Sequence, residues 1–331
     1  MKAALCKSLD GPAAVVIEDV EEPRAGPGEI LVAVSAAALN FFDTLITRGK
    51  YQSKPPLPFS PGGEIAGRVV ALGDGVTGFV PGDRVMAYVG WGGARERVAV
   101  PTVAAVKIPP TVPDDIASGI TITYGTAIHG LKDRGQVKPG DTVAVLGAAG
   151  GAGLAAVEIA KALGAKVIAV ASSAQKLAIA TANGADAVID YATTSDLKQA
   201  LRDATDGRGV DVIYDCVGGE HAEAALRALT WEGRYLVVGF ASGDIPKFPL
   251  NLLLVKGVSV IGVFWGESVA RDPAGHRANM EELLAAVASG RVNPRIHGRY
   301  PLSAFHDAIG IIERREAEGK VVLTFGDGTG P

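Results

Sequence analysis

The stretch that decides the fold reads DTVAVLGAAGGAG, at residues 141–153. A short apolar run, Val143–Leu146, leads into a turn with glycines at positions 147, 150 and 153, and a small-residue segment, Leu154–Leu163, follows. Glycine lets the backbone come close to a ligand, and the free N–H groups at a helix start favour a phosphate. The stretch therefore predicts a strand, a turn and a helix that together bind a dinucleotide. A glycine-rich surface turn is the alternative.

The next predicted strand, Lys166–Ala171, indicates which dinucleotide is bound. It ends in Ser172-Ser173-Ala174-Gln175-Lys176, a segment with no acidic residue. A carboxylate there would bind the ribose hydroxyls of NAD, whereas hydroxyls and an ammonium suit the additional phosphate of NADP. We therefore predict NADPH as the cofactor. The alternatives are that Ser172 caps the following helix and that Lys176 is a solvated lysine.

Length, charge and cysteine content limit the class of protein. A chain of 331 residues is too long for one ordinary core, so two domains are expected. The formal charge of −4, without a polybasic block, implies neither nucleic acid nor an anionic membrane as a partner. Cys6 and Cys216 do not make a disulfide framework. With no secretory signal and no apolar run as long as a bilayer span, we expect a soluble cytoplasmic protein.

The pattern of strands and helices changes near residue 122. Residues 1–122 alternate short β-like runs with Pro and Gly turns, which is typical of an antiparallel sheet. From residue 123 strands alternate with helices, as in a doubly wound parallel sheet. The six strand candidates there are 143–146, 167–170, 187–189, 212–214, 235–238 and 258–263. We predict an α/β protein with one domain formed by 1–122 and 293–331 and another by 123–292.

Motifs along nearly the whole chain carry a resemblance to a known family. In order they are LNFFDT (39–44), RGKY (48–51), PGGE (61–64), PGDRV (81–85), AAGGAG (148–153), DVIYDCVG (211–218), VVGF (237–240) and GKVVL (319–323). The chain resembles the medium-chain dehydrogenase/reductase superfamily, and within it the zinc-free NADPH:quinone oxidoreductases of the ζ-crystallin type. This resemblance implies a GroES-like, mostly antiparallel β catalytic domain and a doubly wound, parallel-sheet Rossmann domain that binds NADP.

The chain departs from the zinc-dependent alcohol dehydrogenase branch at the metal ligands. The histidine of that branch's Gly-His-Glu motif is replaced by Gly63, and its catalytic cysteine near residues 40–44 is missing. Four cysteines of its structural zinc lobe have no counterpart between Met86 and Val106. Tetrahedral zinc needs imidazole or thiolate ligands, and the histidines of this chain lack metal-ligand spacing. We expect neither a catalytic nor a structural zinc.

The expected lack of zinc restricts the chemistry. Zinc polarises an isolated carbonyl and stabilises the alkoxide, so unactivated ketones and alcohols become poor substrates without it. A quinone or an α,β-unsaturated carbonyl accepts hydride unaided, because the negative charge spreads over the conjugated system. We predict hydride transfer from NADPH to a small-molecule quinone or enone. Two alternatives remain, a zinc-free enoyl-thioester or alkenal (2-ene) reductase and a low-turnover NADPH-binding structural or sensor protein.

The resemblance also implies a set of site residues. Asn40 and Thr126 would contact the nicotinamide ribose or amide, and Tyr51 would lie on the substrate side, as a proton donor or as an aromatic lid. The other cofactor-binding residues implied are Ala149, Gly150, Gly151 and Ala152 at the pyrophosphate, Ser172, Lys176 and Tyr191 at the adenosine phosphate, Val217 and Phe240 beside adenine or ribose, Val263, Phe264 and Trp265 near the nicotinamide, and Lys320, which would close on the cofactor.

Several of these residues have a structural alternative, and one strand has a predicted partner. Asn40 could be a turn residue, and Lys320 could be a surface lysine. Phe264 and Trp265 could be core or interface aromatics. Asp43 is more consistent with a carboxylate that orients a loop than with a catalytic group. The apolar segment near Val260 would be hazardous as an open sheet edge. In the resembling family this strand pairs with its two-fold mate, so we predict a homodimer.

Overall fold

A computed structural model describes residues 1–326 of the chain and divides it into two compact units. Unit 1 consists of Met1–Ile122, Val269–Gly290 and the segment from Pro294 onward. Unit 2 consists of Thr123–Ser268 and Arg291–Asn293. Within residues 1–326, no helix has the length and apolar character needed to cross a bilayer.

Strands and helices occur along the whole described chain. The strands are β1 Lys2–Leu5, β2 Val16–Asp19, β3 Glu29–Leu39, β4 Glu64–Leu72, β5 Arg84–Tyr88, β6 Arg97–Pro101, β7 Ala105–Lys107, β8 Thr142–Leu146, β9 Lys166–Ala171, β10 Ala187–Asp190, β11 Val210–Asp215, β12 Leu229–Val237, β13 Ser259–Gly262, β14 Ile296–Pro301 and β15 Lys320–Thr324.

The helices are α1 Phe41–Ile46, α2 Asp114–Ile120, α3 Thr123–Ile128, α4 Gly151–Ala162, α5 Ala174–Ala182, α6 Leu197–Asp203, α7 His221–Arg227, α8 Leu250–Lys256, α9 Trp265–Arg271, α10 Pro273–Ala288 and α11 Phe305–Glu313. Short 3₁₀ turns lie at Pro12–Ala14, Thr102–Ala104 and Leu302–Ala304, and α3 continues into a π-helical segment, His129–Arg134.

Unit 1 is built on a mostly antiparallel sheet in the order β14-β15-β3-β4-β5-β7, with β6 also pairing with β3. Strand β3 lies at its centre because its run of Ile, Leu, Val and Ala is buried along almost its full length. Val321 of β15 lies opposite Leu39, and Glu64 of β4 lies opposite Ala38. This register brings the ends of three strands together just before α1 begins. The antiparallel sheet expected for the first domain is confirmed.

Unit 2 contains a six-stranded parallel sheet in the order β10-β9-β8-β11-β12-β13. Each of the six predicted strands overlaps one of these, and helices connect most of them. If the six strands are numbered from 1 to 6 along the chain, their order in the sheet is 3-2-1-4-5-6. This is the order of the doubly wound nucleotide-binding fold, which binds ligands beyond the carboxyl ends of its central strands. The predicted α/β fold is confirmed.

The helix α10 shows where compact units and predicted domain limits differ. The sequence predicted domains of 1–122 with 293–331 and of 123–292, and these limits remain a proposal; residues 327–331 lie outside the described residues. The segment Val269–Gly290 belongs to unit 1 in the structure. One contact that joins α10 to the rest of unit 1 is a hydrogen bond of 3.1 Å from Arg277 Nη2 to the carbonyl oxygen of Thr102.

Candidate functional site

The glycine turn of unit 2 connects β8 to α4 and is shaped by close backbone approaches. Gly147 has φ +77°, and a Cβ on it would lie 2.7 Å from Cγ2 of Val217. A Cβ on Gly153 would lie 2.1 Å from the carbonyl oxygen of Gly147, so α4 packs against the turn as only glycine allows. The two glycines therefore hold the start of α4 directly over the end of β8.

The start of α4 is open toward solvent. Gly150 is exposed, and a Cβ built on it would meet no atom closer than the carbonyl oxygen of Gly147, at 3.8 Å. Gly151 and Ala152 are half-buried, and the N–H groups of a first helical turn have no acceptor within their own helix. Ala149 is buried beneath them. This arrangement fits a pyrophosphate, which the backbone N–H groups would hold.

Ser172, Lys176 and Tyr191 lie together at the ends of β9 and β10. Lys176 Nζ donates to Ser172 Oγ at 3.3 Å, and the Tyr191 N–H donates to the carbonyl oxygen of Ala171 at 3.0 Å. The cap of α5 is Ser173, whose Oγ accepts from the Lys176 N–H at 3.4 Å. The Ser172 hydroxyl is therefore not the helix cap, and it stands beside the Lys176 ammonium, an arrangement whose chemistry fits a phosphate.

The turn that contains Val217 is held by Asp215, a residue that the sequence reasoning did not single out. Asp215 Oδ1 accepts the N–H groups of Val217 (2.7 Å) and Gly218 (3.0 Å). Its Oδ2 accepts the hydroxyl of Tyr235 at 2.5 Å. Burial raises the pKa of Tyr235, and the charge of Asp215 raises it further. The signal was present in the motif DVIYDCVG, because an acid at the end of a buried strand needs partners.

The remaining predicted residues of unit 2 divide into buried and exposed ones. Trp265 packs on α3, since a Cβ on Gly125 would lie 2.9 Å from its Cζ2, and Thr126 is the next residue of that helix. Val263 is buried, whereas Phe264 and Phe240 are exposed. The structure thus places Trp265 beside Gly125, the residue before Thr126, and leaves the side chain of Phe264 exposed.

In unit 1, Asn40 stands between the end of β3 and the start of α1 and makes two side-chain contacts of opposite charge. Its Oδ1 accepts from Lys320 Nζ at 2.5 Å, and its Nδ2 donates to Glu64 Oε1 at 2.9 Å. Lys320 Nζ also donates to Glu64 Oε1 at 2.8 Å. All three residues are buried. Lys320 is therefore not a surface lysine, and Glu64 is a central group that the sequence reasoning did not identify.

Asp43 holds the backbone around Asn40. Its Oδ2 accepts the Asn40 N–H and its Oδ1 accepts the Gly62 N–H, both at 2.8 Å. Its carboxyl is fully buried, and this burial raises the pKa of Asp43 to about 7, although both hydrogen bonds and the charge of Lys320 act to lower it. Both oxygens are occupied by main-chain donors, which is the geometry of a carboxylate that orients a loop.

Tyr51 belongs to a group of aromatic rings beside these polar residues. Its ring centroid lies 5.3 Å from that of Phe42, and burial raises the pKa of Tyr51. A second tyrosine, Tyr88, was missed by the sequence reasoning. Burial, and to a smaller extent the charge of Tyr51, raises the pKa of Tyr88 to about 12. Tyr88 lies opposite Glu64 in the pairing of β5 with β4, a register that the sequence does not reveal.

Gly63 has no room for the side chain of a metal ligand. A Cβ on it would lie 2.5 Å from Cζ of Phe42 and 3.0 Å from the carbonyl oxygen of Gly90. Across residues 1–326, no cluster of three or more His, Cys, Asp or Glu side chains is arranged to hold a metal ion. The donors present do not fit zinc, and the expected lack of zinc stays a prediction.

Comparison with known proteins matches both units. Residues 26–110 match the alcohol dehydrogenase GroES-like domain, and residues 151–289 match the family described as zinc-binding dehydrogenase. The chain is 40% identical to the quinone oxidoreductase-like protein 2 homolog of Nematostella vectensis, over 97% of this chain and 88% of that protein. It is 31% identical to the quinone oxidoreductase of Rattus norvegicus, covering 98% and 97% of the two chains.

A solved structure gives the same result. The chain superposes on Escherichia coli quinone oxidoreductase complexed with NADPH with a TM-score of 0.91 and 29% identity. This match covers 98% of the present chain and 100% of the other.

Proposed function

This chain belongs to the quinone oxidoreductase family of the medium-chain dehydrogenase/reductase superfamily, and on that premise we propose that it passes hydride from NADPH to quinones or similar conjugated carbonyls without zinc. The observation that carries the proposal is which residues occupy the region where the zinc branch has its metal ligands. The zinc branch has its catalytic cysteine near the segment 40–44, and here Asn40 begins that segment with its amide held in a charged network. The Phe42 ring fills the space beside Gly63, where that branch has its histidine. Such a site suits an acceptor that needs no Lewis acid.

The residues of unit 2 support NADPH as the cofactor. We propose that the N–H groups of Gly150, Gly151 and Ala152 bind its pyrophosphate over the buried Ala149. Ser172, Lys176 and Tyr191 would bind the adenosine phosphate, with Val217 and Phe240 beside the adenine or ribose and Thr126, Val263 and Phe264 toward the nicotinamide. When bound, NADPH supplies a hydride.

Tyr51 and its neighbours support a planar, conjugated acceptor. A quinone that takes up one hydride and one proton becomes a hydroquinone, and the Tyr51 hydroxyl is the proposed donor to the developing oxyanion. A tyrosine hydroxyl is protonated at neutral pH, and the burial that raises the pKa of Tyr51 acts in the same direction. Tyr51→Phe should lower turnover and leave the NADPH dissociation constant unchanged. Unchanged turnover would reduce Tyr51 to an aromatic lid.

The cationic residues near Tyr51 bear on the alternative of a CoA-thioester substrate. Arg48 donates to the carbonyl oxygen of Thr44 at 2.7 Å and is paired with Glu313, so its charge is already compensated. Lys50 and Lys54 are exposed. A CoA ester needs cations for its phosphates, and this loop offers fewer than its sequence suggests. Quinones and enones are therefore favoured.

One assay separates these functions. Protein treated with a chelator is given NADPH or NADH and a panel of 1,2-naphthoquinone, an enone, crotonyl-CoA and a simple aldehyde. We expect the fastest turnover with NADPH and the quinone, with no loss after chelation. Faster reduction of crotonyl-CoA would favour an enoyl-thioester reductase. Tight NADPH binding with no turnover would favour a sensor, and loss of activity on removal of stoichiometric zinc would overturn the proposal.

An exposed apolar surface of unit 2 supports a homodimer. Strand β13, which contains Val260, is an edge of the parallel sheet. Leu250 and Leu254 of the neighbouring α8 are 76% and 81% exposed, and Trp231 is 69% exposed. Large apolar patches of this kind mark interaction sites, and an open edge strand invites pairing. We propose that two copies pair through β13, each covering this surface of the other.

The mass of the particle in solution tests the dimer. Light scattering at micromolar concentration should give twice the chain mass of 33.9 kDa, and Leu254→Glu should shift the mass toward one chain. Glu281→Ala on α10 serves as the surface control. One chain mass for the unaltered protein would refute the dimer. We also propose a cytoplasmic location, supported by two free cysteines, and cell fractionation of the tagged protein would check it.

A further inference from the structure

The side chain of Asn40 lies between a cation and an anion, and it makes a hydrogen bond to each of them. Lys320 Nζ donates to Asn40 Oδ1 at 2.5 Å, and Asn40 Nδ2 donates to Glu64 Oε1 at 2.9 Å. Lys320 and Glu64 are bonded to each other at 2.8 Å, with their side chains 3% and 0% exposed. Lys320 lies 280 residues from Asn40 in the chain, and Glu64 lies 24 residues away.

The charges decide which way the Asn40 amide faces. An ammonium has only donors and an ionised carboxylate has only acceptors, so the amide oxygen must face Lys320 and the amide nitrogen must face Glu64. For most asparagines the two orientations are hard to distinguish, because oxygen and nitrogen look nearly alike at ordinary resolution and only the hydrogen-bond partners assign them. Here a reversed amide would place a donor against the ammonium and an acceptor against the carboxylate. Asn40 is therefore held in a single orientation.

The groups that hold Asn40 are themselves fixed by the sheet and its flanking elements. Glu64 Oε2 accepts the N–H of Ile122 at 2.7 Å. The stem of Lys320 packs against α2, where a Cβ on Gly119 would lie 3.2 Å from Lys320 Cγ. The Asn40 N–H is bound by Asp43, as described above. Both the main chain and the side chain of Asn40 are thus immobilised by buried partners.

We propose that Lys320 and Glu64 are positioning residues that present the Asn40 amide to the bound cofactor in one orientation. The inference rests on the proposed function, in which Asn40 contacts the nicotinamide ribose or amide. It assigns Lys320 an action through Asn40 instead of direct contact with the cofactor. Besides its contacts with Lys320 and Glu64, the amide has one further N–H, which makes only a long hydrogen bond of 3.5 Å to the carbonyl oxygen of Ala38 and is the donor we assign to recognition.

A spectroscopic experiment tests the positioning without any turnover. The chain has five asparagines, so selective ¹⁵N-asparagine labelling gives few side-chain amide signals, and Asn40→Ala identifies the one from Asn40. In the unaltered protein these amide protons should exchange slowly with solvent. In Lys320→Met the Asn40 signal should shift and exchange about 10-fold faster or more. Lys2→Met, which removes an exposed ion-pair lysine of unit 1, is the control and should change nothing.

Kinetics of the same variants separate positioning from direct contact. Lys320→Met should lower kcat about 10- to 100-fold, because a misplaced contact group costs that much, while the NADPH dissociation constant stays within about threefold. A large rise of that constant with an unchanged Asn40 signal would overturn the proposal in favour of direct cofactor contact. An unchanged Asn40 signal with unchanged kcat would also overturn it.

Two further outcomes are distinguishable. If Lys320→Met fails to fold, the double variant Lys320→Met/Glu64→Gln replaces it, because removing both charges leaves no buried ion unpaired. The double variant should fold and still show the shifted Asn40 signal. If the unaltered protein reduces no acceptor, the proposed function fails while the exchange measurement still decides whether Lys320 orients Asn40. A slow, unshifted Asn40 signal in the double variant would refute the positioning.

Discussion

The two candidate sites, one in each unit, are built from different parts of the chain. The proposed cofactor site of unit 2 is built mainly from backbone, with glycines whose missing side chains let α4 approach the end of β8. The site of unit 1 is built from buried side chains, Asn40, Glu64 and Lys320, which the sheet register brings together. A backbone site requires that side chains be missing from one short stretch of sequence. A side-chain site requires charged residues from distant strands, and their charges must compensate one another.

The largest expected effect lies in unit 1, where a charge loses its partner. Glu64→Gln leaves the ammonium of Lys320 buried without its ion-pair partner, and the free energy of unfolding should fall by about 3–5 kcal/mol. Adding Lys320→Met should recover much of this loss. Urea denaturation of the single and double variants measures both. Additive losses would mean that the two charges are independent.

In unit 2 the largest effect should come from filling a backbone contact. Gly153→Ala places a Cβ 2.1 Å from the carbonyl oxygen of Gly147, which should cost about 1–3 kcal/mol of stability and weaken NADPH binding. Gly150→Ala is the matched control for stability, since its Cβ would have 3.8 Å of clearance. Thermal denaturation of both variants checks the difference. Equal midpoints would show that the turn adjusts freely.

The contact between Gly63 and Phe42 tests whether packing in unit 1 opposes a metal ligand. Gly63→His should lower the free energy of unfolding by about 1–3 kcal/mol, because its Cβ would lie 2.5 Å from the Phe42 ring, and should acquire no zinc. With Phe42→Ala added, the losses should be less than additive. Urea denaturation and metal analysis are the measurements. A stable Gly63→His protein with one bound zinc would contradict the expectation.

The smallest expected effect concerns a single half-buried contact of unit 2. Lys176→Ala should weaken NADPH binding by about 1–2 kcal/mol and leave NADH nearly unaffected, if the ammonium makes one charge-assisted contact with the phosphate. Fluorescence titration with both cofactors gives the ratio, and Lys198→Ala on α6 is the control. Equal losses for NADPH and NADH would remove the role assigned to Lys176.

The same contrast explains what could be predicted from the sequence. The turn at 147–153 was predictable because the strand, the glycines and the helix are consecutive, and its geometry follows from local rules. The six parallel strands were predictable from their spacing and apolar character. The family resemblance identified Asn40, Tyr51 and Lys320 as candidates. Local pattern and motif order thus carry the whole of the unit 2 fold.

The partners of those candidates were not predictable in the same way. Lys320 and Glu64 are 256 residues apart, and only the pairing of β15 and β4 with β3 brings them into contact. Nothing local distinguishes a lysine that begins an exposed strand from one that begins a buried strand. Asp215 was likewise quoted only within a motif, because its partner Tyr235 follows 20 residues later on the next strand. Side-chain networks across strands need the register.

The pairing of β15 with β3 also bears on how the molecule is made. Residues 320–324 leave the ribosome after the other described strands of unit 1, so the segment Ala36–Leu39 of β3 lacks its partner β15 until then. Until then Glu64 lies beside β3 with no counter-ion, and a bare strand edge attracts other chains. A nascent chain that stops before residue 320 would thus contain all residues of unit 2 and a unit 1 that lacks β15. Such a fragment would be a substrate for chaperones and proteases, which recognise exposed edges.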